Sequence, residues 1–156
     1  MASSADDSVV ALKLEGTDHL KAGRIKEAKE AYTRALAADP DRKHTEASII
    51  LANRALTHLK LSEPQGCVTD CTASLEINPQ YGKALYRRAQ ANEALHKLAD
   101  AFTDVRMLLR YEPANKEAIA MAAKLKQAIE KRAGASDLST PTQAVETLRA
   151  AAPDGS

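Results

Sequence analysis

Apolar and small residues return along this chain in runs of helical spacing, and three of the runs close on a proline: Pro40, Pro79 and Pro113. The prolines lie 39 and then 34 residues apart. The same two steps carry Gly16 onto Ala55 and Ala89, Ala28 onto Cys67 and Ala101, and Tyr32 onto Cys71 and Val105. They also carry Ala35 onto Ser74 and Leu108, and Leu36 onto Leu75 and Leu109. Small residues fall where small ones fell before, and apolar ones where apolar ones did. A fourth apolar stripe, Ala118, Met121, Ala122, Leu125, Ala128 and Ile129, follows the third proline, with Lys116, Glu117, Lys124, Lys126, Glu130 and Lys131 on the remaining surface. Self-similarity at this period means one supersecondary unit stacked on itself, since a single unit cannot bury its own apolar face.

A period of 34 with a small residue at the eighth place, an Ala-x-x-x-aromatic spacing later and a closing proline resembles the tetratricopeptide repeat, TPR. The resemblance implies an all-α fold: a right-handed superhelix of three hairpins, each an A and a B helix, with the A helices lining the concave side. Small residues at the eighth and twentieth places let A and B approach closely, and each proline stops a B helix because it lacks an N–H and restricts the residue before it. The repeats span 9–42, 48–81 and 82–115, and together with a capping helix at 116–132 they form a domain over 9–132. The cap is needed because the last repeat would otherwise expose an apolar face. Residues 43–47 are extra and lengthen either the following helix or its loop. Gly23 ends the first A helix in a left-handed conformation. Ser62 caps the second B helix, with Gln65 reaching back and Pro64 in the first turn. Residues 1–8 form a flexible lead. Residues 133–156 are a linker followed by a short helix from Thr140-Pro141-Thr142-Gln143, too short to stand alone, which docks on the stack or begins a further domain.

Composition agrees with helices. The chain has 156 residues, 44% hydrophobic and 28% charged, with 3% aromatic and no Trp, so its core is built mainly from Ala and Leu. A net charge of +1 gives no strong field toward nucleic acid or anionic membrane. Two cysteines make no disulfide framework. Residues 1–7 lack the basic start and apolar stretch of a signal peptide, and the longest aliphatic run, Ile49–Ala52, is far too short to span a bilayer, so the expected location is cytoplasmic. No glycine-rich phosphate loop, Gly-x-Ser-x-Gly or His-Glu-x-x-His occurs, and neither enzyme activity nor a cofactor is expected. His19 and His58 take equivalent places on neighbouring A helices; joint metal binding there is strained, and no metal site is expected. Cys67 and Cys71 replace repeat packing residues and read as core filling. Tyr32, Tyr86, Phe102 and Tyr111 read as helix packing; they do not interleave with a basic stripe, which argues against single-stranded nucleic acid.

The chemistry concentrates on the A helices. Lys13 and Thr17 are four apart on the first, Asn53 and Lys60 seven apart on the second, Lys83 and Arg87 four apart on the third. Each pair shares a helix face, and the repeat register makes those faces neighbours. Three cations and an Asn then converge, with Lys60 a fourth cation near the rim. At ~4 Å a unit charge pair near a protein surface is worth ~4 kcal/mol, so the cluster calls for an anion. Two carboxylates flanking a peptide amide fit it, as a chain ending in Asp offers through its side chain and terminus.

Lys13-Leu14-Glu15-Gly16-Thr17, Asn53-Arg54-Ala55-Leu56 and Lys83-Ala84-Leu85-Tyr86-Arg87-Arg88-Ala89 resemble the carboxylate clamp of TPR cochaperones, and Lys60 matches a supplementary clamp lysine. The family's clamp is Lys-x-x-x-Asn, then Asn, then Lys-x-x-x-Arg. The resemblance covers about 9–132 and implies an adaptor that holds the C-terminal Glu-Glu-Val-Asp tail of cytosolic heat-shock chaperones of the ninety- and seventy-kilodalton classes. Within the family the chain looks most like the N-terminal part of UCS-domain myosin chaperones, with mitochondrial-import cochaperones nearly as close. That likeness implies a client such as myosin, engaged through regions outside this chain. One position departs: Thr17 stands where the clamp has Asn. A hydrogen bond to a charged group is worth ~1.5–3 kcal/mol, so up to that much is lost, or the ligand differs. Two other readings stay open: a TPR scaffold that grips an internal segment of another protein, and an accessory module of a larger enzyme.

Overall fold

The computed structural model describes residues 4–136. Among these it has seven helices: α1 Ser4–Lys21, α2 Ile25–Ala37, α3 Ala47–Lys60, α4 Pro64–Ile77, α5 Gly82–Ala94, α6 Leu98–Tyr111 and α7 Lys116–Ser136. Each helix packs on the next in the chain, and α3 also touches α1 and α5. The result is an all-α solenoid of three hairpins, α1–α2, α3–α4 and α5–α6, closed by α7. The odd-numbered helices form one layer and the even-numbered ones the other.

The boundaries differ from expectation at both ends and in the middle. Residues 4–8 belong to α1, where a lead before the first helix was expected; Asp6 and Asp7 in its first turn complement the helix dipole. The helix α7 continues through residues 133–136, where a linker was expected. Residues 43–47 lengthen a loop, since α3 begins only at Ala47. The expected linker beyond Ser136 and the helix start at Thr140 lie outside the described residues.

The small positions are where the two layers meet. Ala28, Ala55, Cys67, Ala89 and Ala101 are all fully buried. Around them lie two apolar clusters. One joins Val9, Tyr32, Leu36, Ile50 and Leu51 across the first hairpin and α3. The other runs from Cys67 and Cys71 through Leu85, Val105 and Leu108 to Leu125 of the cap. Each fully buried side chain of this size contributes roughly 1.5–3 kcal/mol. Cys67 and Cys71 are free thiols with their sulfurs 3.8 Å apart, as core filling requires. The neighbouring Cys67 and burial both push the Cys71 thiol up, so it stays protonated. Tyr111 is the exception among the expected packing aromatics, at 42% exposure.

One turn geometry joins A to B in every repeat. Gly23, Ser62 and His96 have φ of 79°, 60° and 61°, and they stand at the same two repeat steps. Their N–H groups donate to Leu20, Leu59 and Glu93, and the following N–H groups of Arg24, Glu63 and Lys97 donate to His19, His58 and Asn92. This is a left-handed helix stop with a 6→1 bond. Ser62 therefore terminates α3 and does not cap α4. Glu63 precedes α4 without a side-chain cap bond; its carboxylate instead reaches Lys29 and His58, each at 3.0 Å.

A second repeating device was not read from the sequence. Arg54 donates twice to Asp70, at 2.7 Å each, and Arg88 twice to Asp104, at 2.8 and 2.7 Å. Each arginine also reaches a threonine of the preceding B helix, Thr33 and Thr72. Asp70 and Asp104 are buried, so each fork ties three helices together with a desolvated acceptor. Burial raises the Asp104 carboxyl pKa against the lowering by Arg88, and Asp104 in turn raises that of the Arg88 guanidinium.

Since Gly adopts the left-handed region without penalty, His96→Gly should raise the thermal midpoint, by an amount matching roughly 0.5–1 kcal/mol, and Gly23→Ala should lower it. Thermal unfolding followed by circular dichroism measures both.

Candidate functional site

Four of the residues singled out above, Lys13, Thr17, Asn53 and Arg87 of α1, α3 and α5, gather around a tyrosine from the other layer. Tyr32 lies on α2, yet its ring rests against α1 at Gly16, where an added Cβ would sit 2.6 Å from Cε1. The missing side chain lets the ring lie against α1, with its hydroxyl 3.0 Å from Thr17 Oγ1. Thr17 donates its own proton to the Lys13 carbonyl at 3.0 Å. Tyr32 therefore donates to Thr17, and Asn53 of α3 stands close enough to the phenol to favour its ionised form. Tyr32 of α2 and Thr17 of α1 form a hydrogen-bonded chain that ends on the backbone of α1, with Asn53 of α3 beside the phenol.

The charges gather around it. Burial raises the Tyr32 phenol above its ordinary 10.0, against the bonds from Thr17 and Asn53 and the fields of Lys13 and Arg87. Tyr81, just ahead of α5, is raised by burial, lowered by Arg87 and Lys13 and raised again by Glu46. Lys13, Thr17, Asn53 and Arg87 are thus brought together across three helices. Arg87 is half-buried, and its Nη1 donates to the Ala52 carbonyl of α3 at 2.7 Å, which fixes the guanidinium and leaves further N–H groups for a ligand.

The remaining cations differ. Lys83 is exposed, one turn before Arg87, and Lys60 is exposed at the end of α3. Neither makes an ion pair with the described residues. Lys13 does: its Nζ is 2.6 Å from Glu46 Oε2. Thr17 has spent its only proton on its own helix, so it serves the site by holding Tyr32 and offers no donor to a ligand.

Three residues of this site escaped sequence reasoning: Tyr32 in its polar role, Tyr81 and Glu46. Tyr32 sits at a repeat packing position, which hides its hydroxyl; the usable signal was Gly16, where the later repeats have Ala. Glu46 lies in residues 43–47, which have no counterpart elsewhere in the chain and so no register. The histidines are engaged within their own hairpins. Arg24 Nε donates to His19 Nδ1 at 2.8 Å, and His58 lies between Glu63 at 3.0 Å and Asp70 at 3.4 Å. Among the described residues no helix is long and apolar enough to cross a membrane.

A solenoid of three hairpins closed by a capping helix defines a class of helical repeat domains. Known proteins place it more closely. The tetratricopeptide repeat family model matches residues 9–42. The first TPR of Spaghetti (RPAP3), solved with the HSP90 peptide SRMEEVD, is 32% identical with a TM-score of 0.74, over 79% of this chain and 94% of that one. The chain belongs to the tetratricopeptide repeat family. The myosin chaperone UNC-45 from C. elegans, solved with an Hsp90 peptide, is 32% identical with a TM-score of 0.71, over 77% of this chain and 13% of its own. The mitochondrial import receptor subunit TOM70 of Rattus norvegicus is 36% identical over 102 residues, 65% of this chain and 17% of the receptor. The chain thus spans less than a fifth of TOM70 and of UNC-45, and nearly all of the RPAP3 repeat domain.

If Gly16 is what admits Tyr32, then Gly16→Ala should lower unfolding free energy by about 1–2 kcal/mol, because the buried ring has nowhere to go and overpacking outweighs the gain in helix propensity. Adding Tyr32→Leu should restore part of the loss. Urea denaturation of the two variants decides it.

Proposed function

We propose that the groove binds the free C-terminus of an acidic polypeptide, of the Glu-Glu-Val-Asp kind that ends heat-shock chaperones of the ninety- and seventy-kilodalton classes. The chain then works as a non-catalytic adaptor in the cytoplasm. The observation that carries this reading is the convergence of Lys13, Asn53 and Arg87 from three helices on Tyr32. Arg87 presents a fixed fork to a carboxylate, Asn53 a donor and an acceptor to the last peptide unit, and Lys13, Lys83 and Lys60 mobile ammonium groups. The RPAP3 and UNC-45 structures support it, since peptides of chaperone origin occupy those relatives. UNC-45 is further described as binding and folding muscle myosin; by analogy a client such as myosin would be held by regions outside this chain.

With Thr17 turned inward, the ligand lacks one charge-assisted hydrogen bond relative to a clamp with Asn there, a difference of ~1.5–3 kcal/mol that a bridging water reduces. The same inward turn favours one other reading, a groove that grips an internal segment by apolar anchors. The two part on the terminal carboxylate.

The test is titration of a peptide ending in Glu-Glu-Val-Asp, as free acid and as C-terminal amide, followed by calorimetry. The free acid should bind and the amide should lose most of the affinity; equal binding would sink the clamp. Arg87→Ala should cost about 2 kcal/mol, roughly thirtyfold in Kd. Binding should also weaken as salt is raised.

A further inference from the structure

Of the groove lysines, only Lys13 already holds a carboxylate. Its partner, Glu46, is the residue just before α3, on the stretch 43–47 that no other junction of the chain possesses. Lys60 and Lys83, both exposed, have no such partner among the described residues.

The loop that delivers Glu46 is built to hold one shape. The Asp39 carboxylate accepts the backbone N–H groups of Lys43 at 2.9 Å and His44 at 3.1 Å. Arg42 takes a left-handed φ of 55° and donates through Nη1 to the Leu36 carbonyl at 2.7 Å and to that of Asp39. The Glu46 N–H in turn donates to His44 Nδ1 at 3.0 Å. The carboxylate so positioned meets Lys13 Nζ at 2.6 Å with the two side chains 32% and 28% exposed, and its charge also reaches the Tyr81 phenol between Lys13 and Arg87. The pair is half in water, so it is exchangeable, and its acid stands where an incoming carboxylate would have to stand.

We propose that Glu46 is a built-in occupant of the carboxylate site, an internal competitor for Lys13 that sets the affinity of the groove for anionic peptide ends. This rests on the reading of the groove given above. A peptide carboxylate gains Lys13 only by displacing Glu46, and a second negative charge beside the site repels the ligand until it does. The five-residue stretch thereby makes the affinity of this groove lower than its cations alone would give.

The experiment titrates the 156-residue chain with the free-acid peptide SRMEEVD, the sequence seen in the RPAP3 relative. The variants are Glu46→Gln, Lys13→Met, the double variant, and Asp41→Asn as a control for net charge. Glu46→Gln should tighten binding by about fivefold, the equivalent of the ~1 kcal/mol at the upper end for part-exposed ion pairs. It should not raise the thermal midpoint, because the protein itself loses a contact. A merely structural role for Glu46 would move affinity and stability in the same direction. The gain should vanish in the Lys13→Met background, and Asp41→Asn should leave affinity unchanged. Unchanged or weaker binding by Glu46→Gln, with Arg87→Ala still weakening binding roughly thirtyfold, would overturn the competitor and leave the groove reading intact. An equal gain without Lys13, or from Asp41→Asn, would overturn it in favour of long-range charge. No binding by wild type or any variant would remove the groove reading and this proposal with it.

Discussion

Within each hairpin the A and B helices approach closely enough that only Gly, Ala or Cys fits between them, and the rest of the molecule follows from that contact. Gly16, Ala28, Ala55, Cys67, Ala89 and Ala101 are all buried, and a Cβ at Gly16 would meet the Tyr32 ring of the paired helix. Larger side chains there would part the layers, and the odd-numbered helices would no longer share one concave face. The left-handed stops at Gly23, Ser62 and His96 serve the same end, since each reverses the chain within the few residues that so close a pair of helices allows. The Arg54–Asp70 and Arg88–Asp104 forks then brace the second and third hairpins, and the same arginines reach Thr33 and Thr72 of the hairpin before. Buried ion pairs of this kind add little net stability against an apolar alternative, but a wrong stacking register would strand a charge.

The groove inherits its geometry from this frame. Cations on three helices repel one another, and their cost falls only when something negative or polar is placed among them. Tyr32 supplies the polar centre from the opposite layer, and it reaches there because Gly16 presents no side chain. A residue that packs the core in its ring and meets the groove with its hydroxyl couples the two: the cationic face can be no more ordered than the first hairpin's packing. Arg87 is held the same way, by the Ala52 carbonyl of the neighbouring helix, so a bond between repeats also orients its guanidinium.

Glu46 shows how a repeat protein acquires individuality. Repeated positions answer to the stacking geometry and are constrained by it. The stretch 43–47 is outside that register, so it was free to carry an acid to Lys13. Its position alters the balance of charge in the groove without touching the core.

Much of the architecture was legible in the chain. Period, hairpin count, small positions, cap and the gathering of Lys13, Asn53 and Arg87 all follow from spacings that a helix converts directly into directions. Helix ends were less legible: Ser62 has the residue type of a cap but the backbone of a stop, and only the turn's hydrogen bonds distinguish the two. The Arg–Asp forks recur at the repeat step, yet their residues read as ordinary surface charge until the partner's burial is known. The sequence by itself determined the stack and the side from which its cations point, because helical periodicity is a local property. Tertiary structure alone decided that Tyr32 crosses to the groove, that Thr17 turns inward, and that Glu46 closes on Lys13. Those contacts join segments whose separation along the chain carries no period, and only folding sets the distance between them.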